Sequence, residues 1–128
     1  MKLTFTLEGR PVAKQRPRRV ETRDGRHITY TPKETRRFES RVRAAAYVEA
    51  HRQGWPCEYA GDVAVTIRLT FPDRRHGDAD NYAKAILDGL QGRGGAIRDD
   101  KQVRALKVRY GYEGEPGARI ELAAMEGE

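Results

Sequence analysis

The chain has 128 residues, 38% hydrophobic and 34% charged, with 25 Lys or Arg against 19 Asp or Glu and a net charge of +6. That length suits one domain over 1–128, the modest apolar content makes buried area at a subunit interface welcome, and the surplus charge points to a polyanionic partner. No apolar run approaches the roughly 18 residues of a membrane span, and Cys57 stands alone with His27, His51 and His76 scattered, which excludes an internal disulfide and a zinc site.

The opening stretch Met1 to Glu8 lacks the apolar core of a signal peptide, so a reducing cytoplasm is the expected compartment. Within it, Leu3, Phe5 and Leu7 alternate with polar residues and predict a first strand, broken by Gly9-Arg10-Pro11. From Arg10 to Arg43 the chain carries 12 Lys or Arg and 4 Asp or Glu, net +8, while the remainder sums to −2. The basic charge is therefore local. Lys14, Arg16, Arg18, Arg19, Arg23 and Arg26 surround a turn at Asp24-Gly25, with His27-Ile28-Thr29-Tyr30 as its returning arm. A basic hairpin or flexible arm over about residues 10–30 suits phosphate contact. The alternative is a solvated charged loop.

Thr31-Pro32-Lys33-Glu34 predicts a helix start, with Thr31 as N-cap, Pro32 at the first helical position and Glu34 closing a capping box. Phe38, Val42, Ala45, Ala46 and Glu49 follow one stripe, and Gln53-Gly54 ends it. Trp55, Pro56 and Tyr59 then read as packing residues. Val63, Val65, Ile67, Leu69 and Phe71 alternate as a second strand, which ends at Pro72-Asp73-Arg74-Arg75-His76-Gly77. Arg74 and Arg75 there join the candidate phosphate contacts. A second helix follows, with Asp80 as N-cap and Ala83, Ile86, Leu87 and Leu90 on one face. Gly92-Arg93-Gly94-Gly95 is too short for a phosphate-binding loop and predicts a flexible turn. Leu106, Val108 and Tyr110 make a third strand; Ala118, Ile120 and Leu122 make a fourth after a turn at Glu113 to Gly117. The order predicts an α+β domain with one mixed sheet of four or slightly more strands and two helices on one face.

The chemistry concentrates between Gly77 and Leu90. Asp78 and Asp80 are two apart, and in an extended backbone both side chains point the same way. Carboxylates about 4 Å apart repel by about 4 kcal/mol at an effective dielectric near 20. One stays protonated, or a cation sits between them: Arg, Lys, or a hard metal such as Mg²⁺ or Mn²⁺. Lys84 follows one turn after Asp80, and Asp88 one turn after Lys84. Lys84 can therefore reach the carboxylates, or simply pair with Asp88 along the helix. An EF-hand loop does not fit, because counting from Asp78 its glycine and glutamate places hold Ala83 and Gly89.

The run D-A-D-N-Y-A-K-A-I-L-D-G-L, followed shortly by I-R-D-D-K-Q-V, resembles the RusA family of Holliday junction resolvases of bacteria and their phages. The upstream T-Y-T-P-K-E-T-R-R-F-E and the arm P-V-A-K-Q-R-P-R are similar to those of phage-type members, so the likeness covers most of the chain. The resemblance implies a homodimeric endonuclease of DNA recombination and repair, encoded by a bacterium, phage or prophage. It implies dependence on Mg²⁺, for which Mn²⁺ substitutes, and resolution of four-way branched DNA by paired nicks. Asp78, Asp80 and Asp100 match its metal-binding catalytic aspartates and Lys84 its catalytic lysine. Asp99, the acidic neighbour of Asp100, ranks behind them. Gly77 stands where some members carry a basic residue, leaving that role to Arg74, Arg75 or His76. The residues alone agree with this chemistry: phosphodiester hydrolysis needs an activated water and stabilised charge, which carboxylate-held Mg²⁺ and a lysine can supply. Two alternatives stand beside it. One is a non-catalytic DNA-binding module; the other is a metal-dependent nuclease for other branched or single-stranded DNA.

Overall fold

A computed structural model describes residues 1–15, 18–30 and 32–125, without the side chains of Arg18 and Tyr30. The elements are β1 (Lys2–Glu8), β2 (Arg18–Glu21), β3 (His27–Tyr30), α1 (Lys33–Gln53), β4 (Val63–Thr70), α2 (Ala79–Leu90), a 3₁₀ turn (Asp100–Gln102), β5 (Val103–Gly111) and β6 (Gly117–Ala124). The chain forms an α+β domain with a mixed four-stranded sheet in the order β1-β6-β4-β5 and a separate hairpin of β2 and β3. β6 runs antiparallel to both β1 and β4, whereas β4 and β5 are parallel. Parallel neighbours need a long crossover; α2 and its flanking loops provide it, which puts α2 beside the β4–β5 pair.

The period-two patterns become rows across the sheet. Phe5, Ile120, Ile67 and Val108 are register neighbours on the face toward the helices, as are Leu3, Leu122, Val65 and Leu106. Against them pack Phe38, Val42, Ala46 and Ala50 of α1 and Tyr82, Ala83, Ile86 and Leu90 of α2, all buried. Both helices thus cover one face. The two helices approach closely at Gly89, where a Cβ would stand 2.7 Å from the Val42 Cβ. Coverage thins at the β5 edge, so Leu106 and Tyr110 remain 46% and 54% exposed although they continue core rows.

Several boundaries differ from the sequence expectation. α1 begins at Lys33, with Pro32 in the capping position at φ −54° and ψ 146° and no side-chain cap. Thr31, the expected cap, lies outside the described residues. Gly54 ends α1 in the left-handed region, at φ 76°, a conformation glycine adopts without steric cost. The Gly92–Gly95 segment is a clamped turn instead of a flexible one. The Arg43 guanidinium donates to the carbonyls of Arg93 and Gln91 at 2.5 and 2.6 Å, and Gly95 N donates to Gly92 O. Trp55 is buried, donating its indole N–H to Ala96 O at 3.0 Å, and Tyr59 packs on it with centroids 5.0 Å apart. Among the described residues no helix is long and apolar enough to cross a membrane.

Candidate active site

α2 starts one residue after Asp78, which takes the N-cap place in extended backbone (φ −74°, ψ 143°) with no side-chain capping bond. Asp80, expected as the cap, instead sits in the first helical turn, near the positive end of the helix. The helix begins between the two aspartates, so the extended-strand reason for aligning them does not apply. Neither carboxylate is spent on capping, and among the described residues neither joins an ion pair.

Lys84 follows on the same helix. Asp80, Ala83, Lys84 and Leu87 line one wall of a cleft of about 420 Å³; Asp100, Leu106 and Val108 line the other. Two carboxylates and an ammonium from separated stretches of sequence therefore share one opening beside the sheet edge. Asp78 stands at the head of α2 and is not among the cleft-lining residues. Among the described residues no three His, Cys, Asp or Glu side chains lie close enough together to hold a metal ion as the chain stands.

The two adjacent aspartates before β5 have different surroundings. Asp99 caps the 3₁₀ turn, its carboxylate accepting from Lys101 N at 2.8 Å, while Gln102 Oε1 accepts from Asp99 N at 2.8 Å in a reciprocal capping box. Gln102 is in turn tied down by its amide group, which donates to the carbonyls of Tyr59 and Gly61 at 2.6 and 2.7 Å. Asp100 has its backbone N–H held by Gln91 Oε1 at 2.8 Å and lines the cleft. Gln91 also donates to Asp88 Oδ1 at 3.1 Å.

Asp88 does not pair with Lys84. Its partner is Lys14, whose ammonium lies 3.0 Å from Asp88 Oδ2 and 2.8 Å from Glu39 Oε2. Burial lowers the Lys14 pKa, but the hydrogen bonds and charges of Glu39 and Asp88 outweigh that and raise it above the usual lysine value. Lys14 N also donates to Asn81 O in the first turn of α2, and the buried Thr35 hydroxyl joins Ala13 O and Gln15 N. The segment before the hairpin is thus strapped across both helices. Lys14, expected among the DNA contacts, is committed to this strap. A chain of contacts then runs from Lys14 through Asp88 and Gln91 to the Asp100 backbone.

An aromatic group fixes the loop before Asp78. His76 stacks on Phe71 with centroids 4.1 Å apart, and its Nδ1 lies 2.8 Å from Gly77 O. Its Nε2 lies 2.7 Å from the Tyr112 hydroxyl, and Gly77 N donates to the Tyr82 hydroxyl at 3.1 Å. Arg74 covers the Tyr112 ring at 4.6 Å, and both Arg74 and Arg75 are exposed. Arg19 and Arg23 are exposed on the hairpin; Arg16 lies outside the described residues, and Arg18 is placed only by its backbone on β2. The hairpin turn itself is fastened by Asp24. The Thr22 hydroxyl and the Arg26 N–H hold its carboxyl below the usual range.

The sequence reading missed Gln91, Gln102 and the aromatic group as positioning residues. One signal was present: Asp99 and Gln102 stand at capping-box spacing. A protein-family model described as Endodeoxyribonuclease RusA matches residues 8–123, nearly the whole chain. No curated protein matches it.

Proposed function

Because the chain belongs to the RusA endodeoxyribonuclease family, we propose that it resolves four-way DNA junctions by Mg²⁺-dependent phosphodiester hydrolysis, in recombination and repair of bacterial or phage DNA in the cytoplasm. The observation that carries this reading is the shared cleft of Asp80, Lys84 and Asp100, with both carboxylates free of capping duties. The donor set is all carboxylate oxygen, which suits Mg²⁺ or Mn²⁺. Asp80 and Asp100 would hold the ion, with Asp78 as the third donor at the head of α2. Bound there, the ion supplies a water of lowered pKa and charge compensation at the phosphate. Lys84 balances negative charge that develops in the cleft or protonates the leaving oxygen. The exposed arginines of the hairpin position the phosphate backbone.

One chain offers one set of Asp78, Asp80, Lys84 and Asp100, and resolution needs two opposed nicks. A two-fold pair of chains matches a near two-fold junction.

The test is incubation with a synthetic four-way junction, with and without Mg²⁺, beside linear and flapped DNA. Paired symmetrical nicks in the junction, dependent on the ion, are expected. Equal cutting of linear DNA points to a nuclease of looser specificity. Binding without cutting under every metal condition leaves a DNA-binding module.

A further inference from the structure

The sheet face opposite the helices carries a charge pattern that the cleft does not explain. Alternate β4 residues Thr66 and Arg68 point away from the core. Arg68 is the register partner of Arg109 on β5 and of Arg119 on β6. Three arginines therefore stand side by side across three adjacent strands, roughly 4.8 Å apart from strand to strand. The next row holds Lys107, Thr66 and Glu121. These six residues line one open depression, with four cations against one carboxylate. Among the described residues none of the four cations lies within ion-pair distance of an acid.

Like charges directly opposite one another on a sheet destabilise it. A row of three arginines therefore costs folding energy unless an anion spans it. Guanidinium groups match phosphate oxygens in paired hydrogen bonds. Resting on the reading of this chain as a nuclease of branched DNA, we propose that the Arg119–Arg68–Arg109 row is a second DNA surface, which grips the phosphate backbone of a duplex arm other than the one in the cleft. Position supports this occupant. β5 sends Leu106 and Val108 to the cleft on one side and Lys107 and Arg109 to the row on the other. A straight duplex that passes the cleft cannot also lie on the opposite face of the sheet. Two arms diverging from a branch point can straddle the β5 edge.

The test uses the full chain with EDTA present, so that binding is read without cutting. R68Q/R109Q/R119Q removes three charges at exposed positions and keeps polar, unbranched stems there. Its melting temperature without DNA is expected to equal or exceed that of the wild type, because repulsion is relieved. For a four-way junction, the slope of log affinity against log salt is expected to shrink by roughly 2–3 units, at about 0.9 for each phosphate no longer gripped. Linear duplex is expected to lose less, so the preference for the junction narrows. R68K/R109K/R119K keeps the charge and is expected to retain most of the slope. The single variant R109Q, losing about one unit, covers the case in which the triple variant does not fold. A junction slope unchanged in R68Q/R109Q/R119Q, or an equal loss on linear DNA, overturns the proposal. Failure of the nuclease reading is recognised separately, by wild-type protein that binds junctions but never cuts them with Mg²⁺.

Discussion

Replacing Lys14 separates two readings of one residue. In Lys14→Met the stem remains and the ammonium goes, which leaves Glu39 and Asp88 facing each other. The Lys14, Glu39 and Asp88 side chains are only 18%, 20% and 22% exposed, so water compensates poorly. Two charge-assisted hydrogen bonds vanish, each worth about 1.5–3 kcal/mol, and the relief of burying an ammonium returns part of that. Stripping one partner from a fully buried pair costs about 3–5 kcal/mol, an upper limit for a site that water still reaches. The expected loss is about 2–3 kcal/mol, or roughly 8–12 °C in melting temperature for a domain of this size. Urea unfolding at neutral pH measures it. The Lys14 pKa is raised in the folded chain, so its stabilisation is fully present below the usual lysine value and fades as pH rises through the raised one. The gap between wild type and variant therefore persists through neutral pH and closes in strong alkali. Junction binding supplies the second readout. A strap residue leaves the salt slope unchanged, whereas a phosphate-binding residue takes about 0.9 unit with it. A variant within about 0.5 kcal/mol of wild type whose slope drops would refute the strap.

Asp80→Asn and Asp100→Asn are each expected to abolish cleavage and to keep or tighten junction binding, because negative charge facing phosphate is removed. Asp78→Asn is expected to act likewise, and full-rate cutting by any two of the three, in a labelled-junction assay, would dissolve the site. Asp99→Asn, which can still cap, is expected to cut near the wild-type rate, while Asp99→Ala loses about 1 kcal/mol of stability to urea. Lys84→Ala is expected to stop cleavage yet leave Mg²⁺ binding by calorimetry unchanged, and normal cutting would return Lys84 to the surface. Gly89→Ala gains up to about 1 kcal/mol of helix propensity. Its new Cβ meets Val42 Cβ at 2.7 Å and Glu39 O at 2.8 Å, and overpacking of about 1–3 kcal/mol outweighs the gain. Thermal melting checks the sign.

Local periodicity carried much of this protein. The alternation in β1, β4 and β6 and the apolar stripes of α1 and α2 are set by which side chains a strand or helix puts on one face, so element type and order were legible before any contact was known. The aspartates around α2 and before β5 were visible as residues for the same reason, and the hairpin arginines as a local excess of charge. What needed the tertiary structure was every choice between distant partners. Sequence spacing offered Lys84 to Asp88, yet the fold brings Lys14 to Asp88 from far upstream. Only the family resemblance ranked Asp100 above its neighbour; the fold adds a physical reason, since Gln102, held by Tyr59 and Gly61, makes Asp99 the cap while Asp100 lines the cleft. The arginine row was invisible because Arg68, Arg109 and Arg119 are scattered through a part of the chain with a net charge of −2. They meet only through strand order and register, which depend on long-range packing.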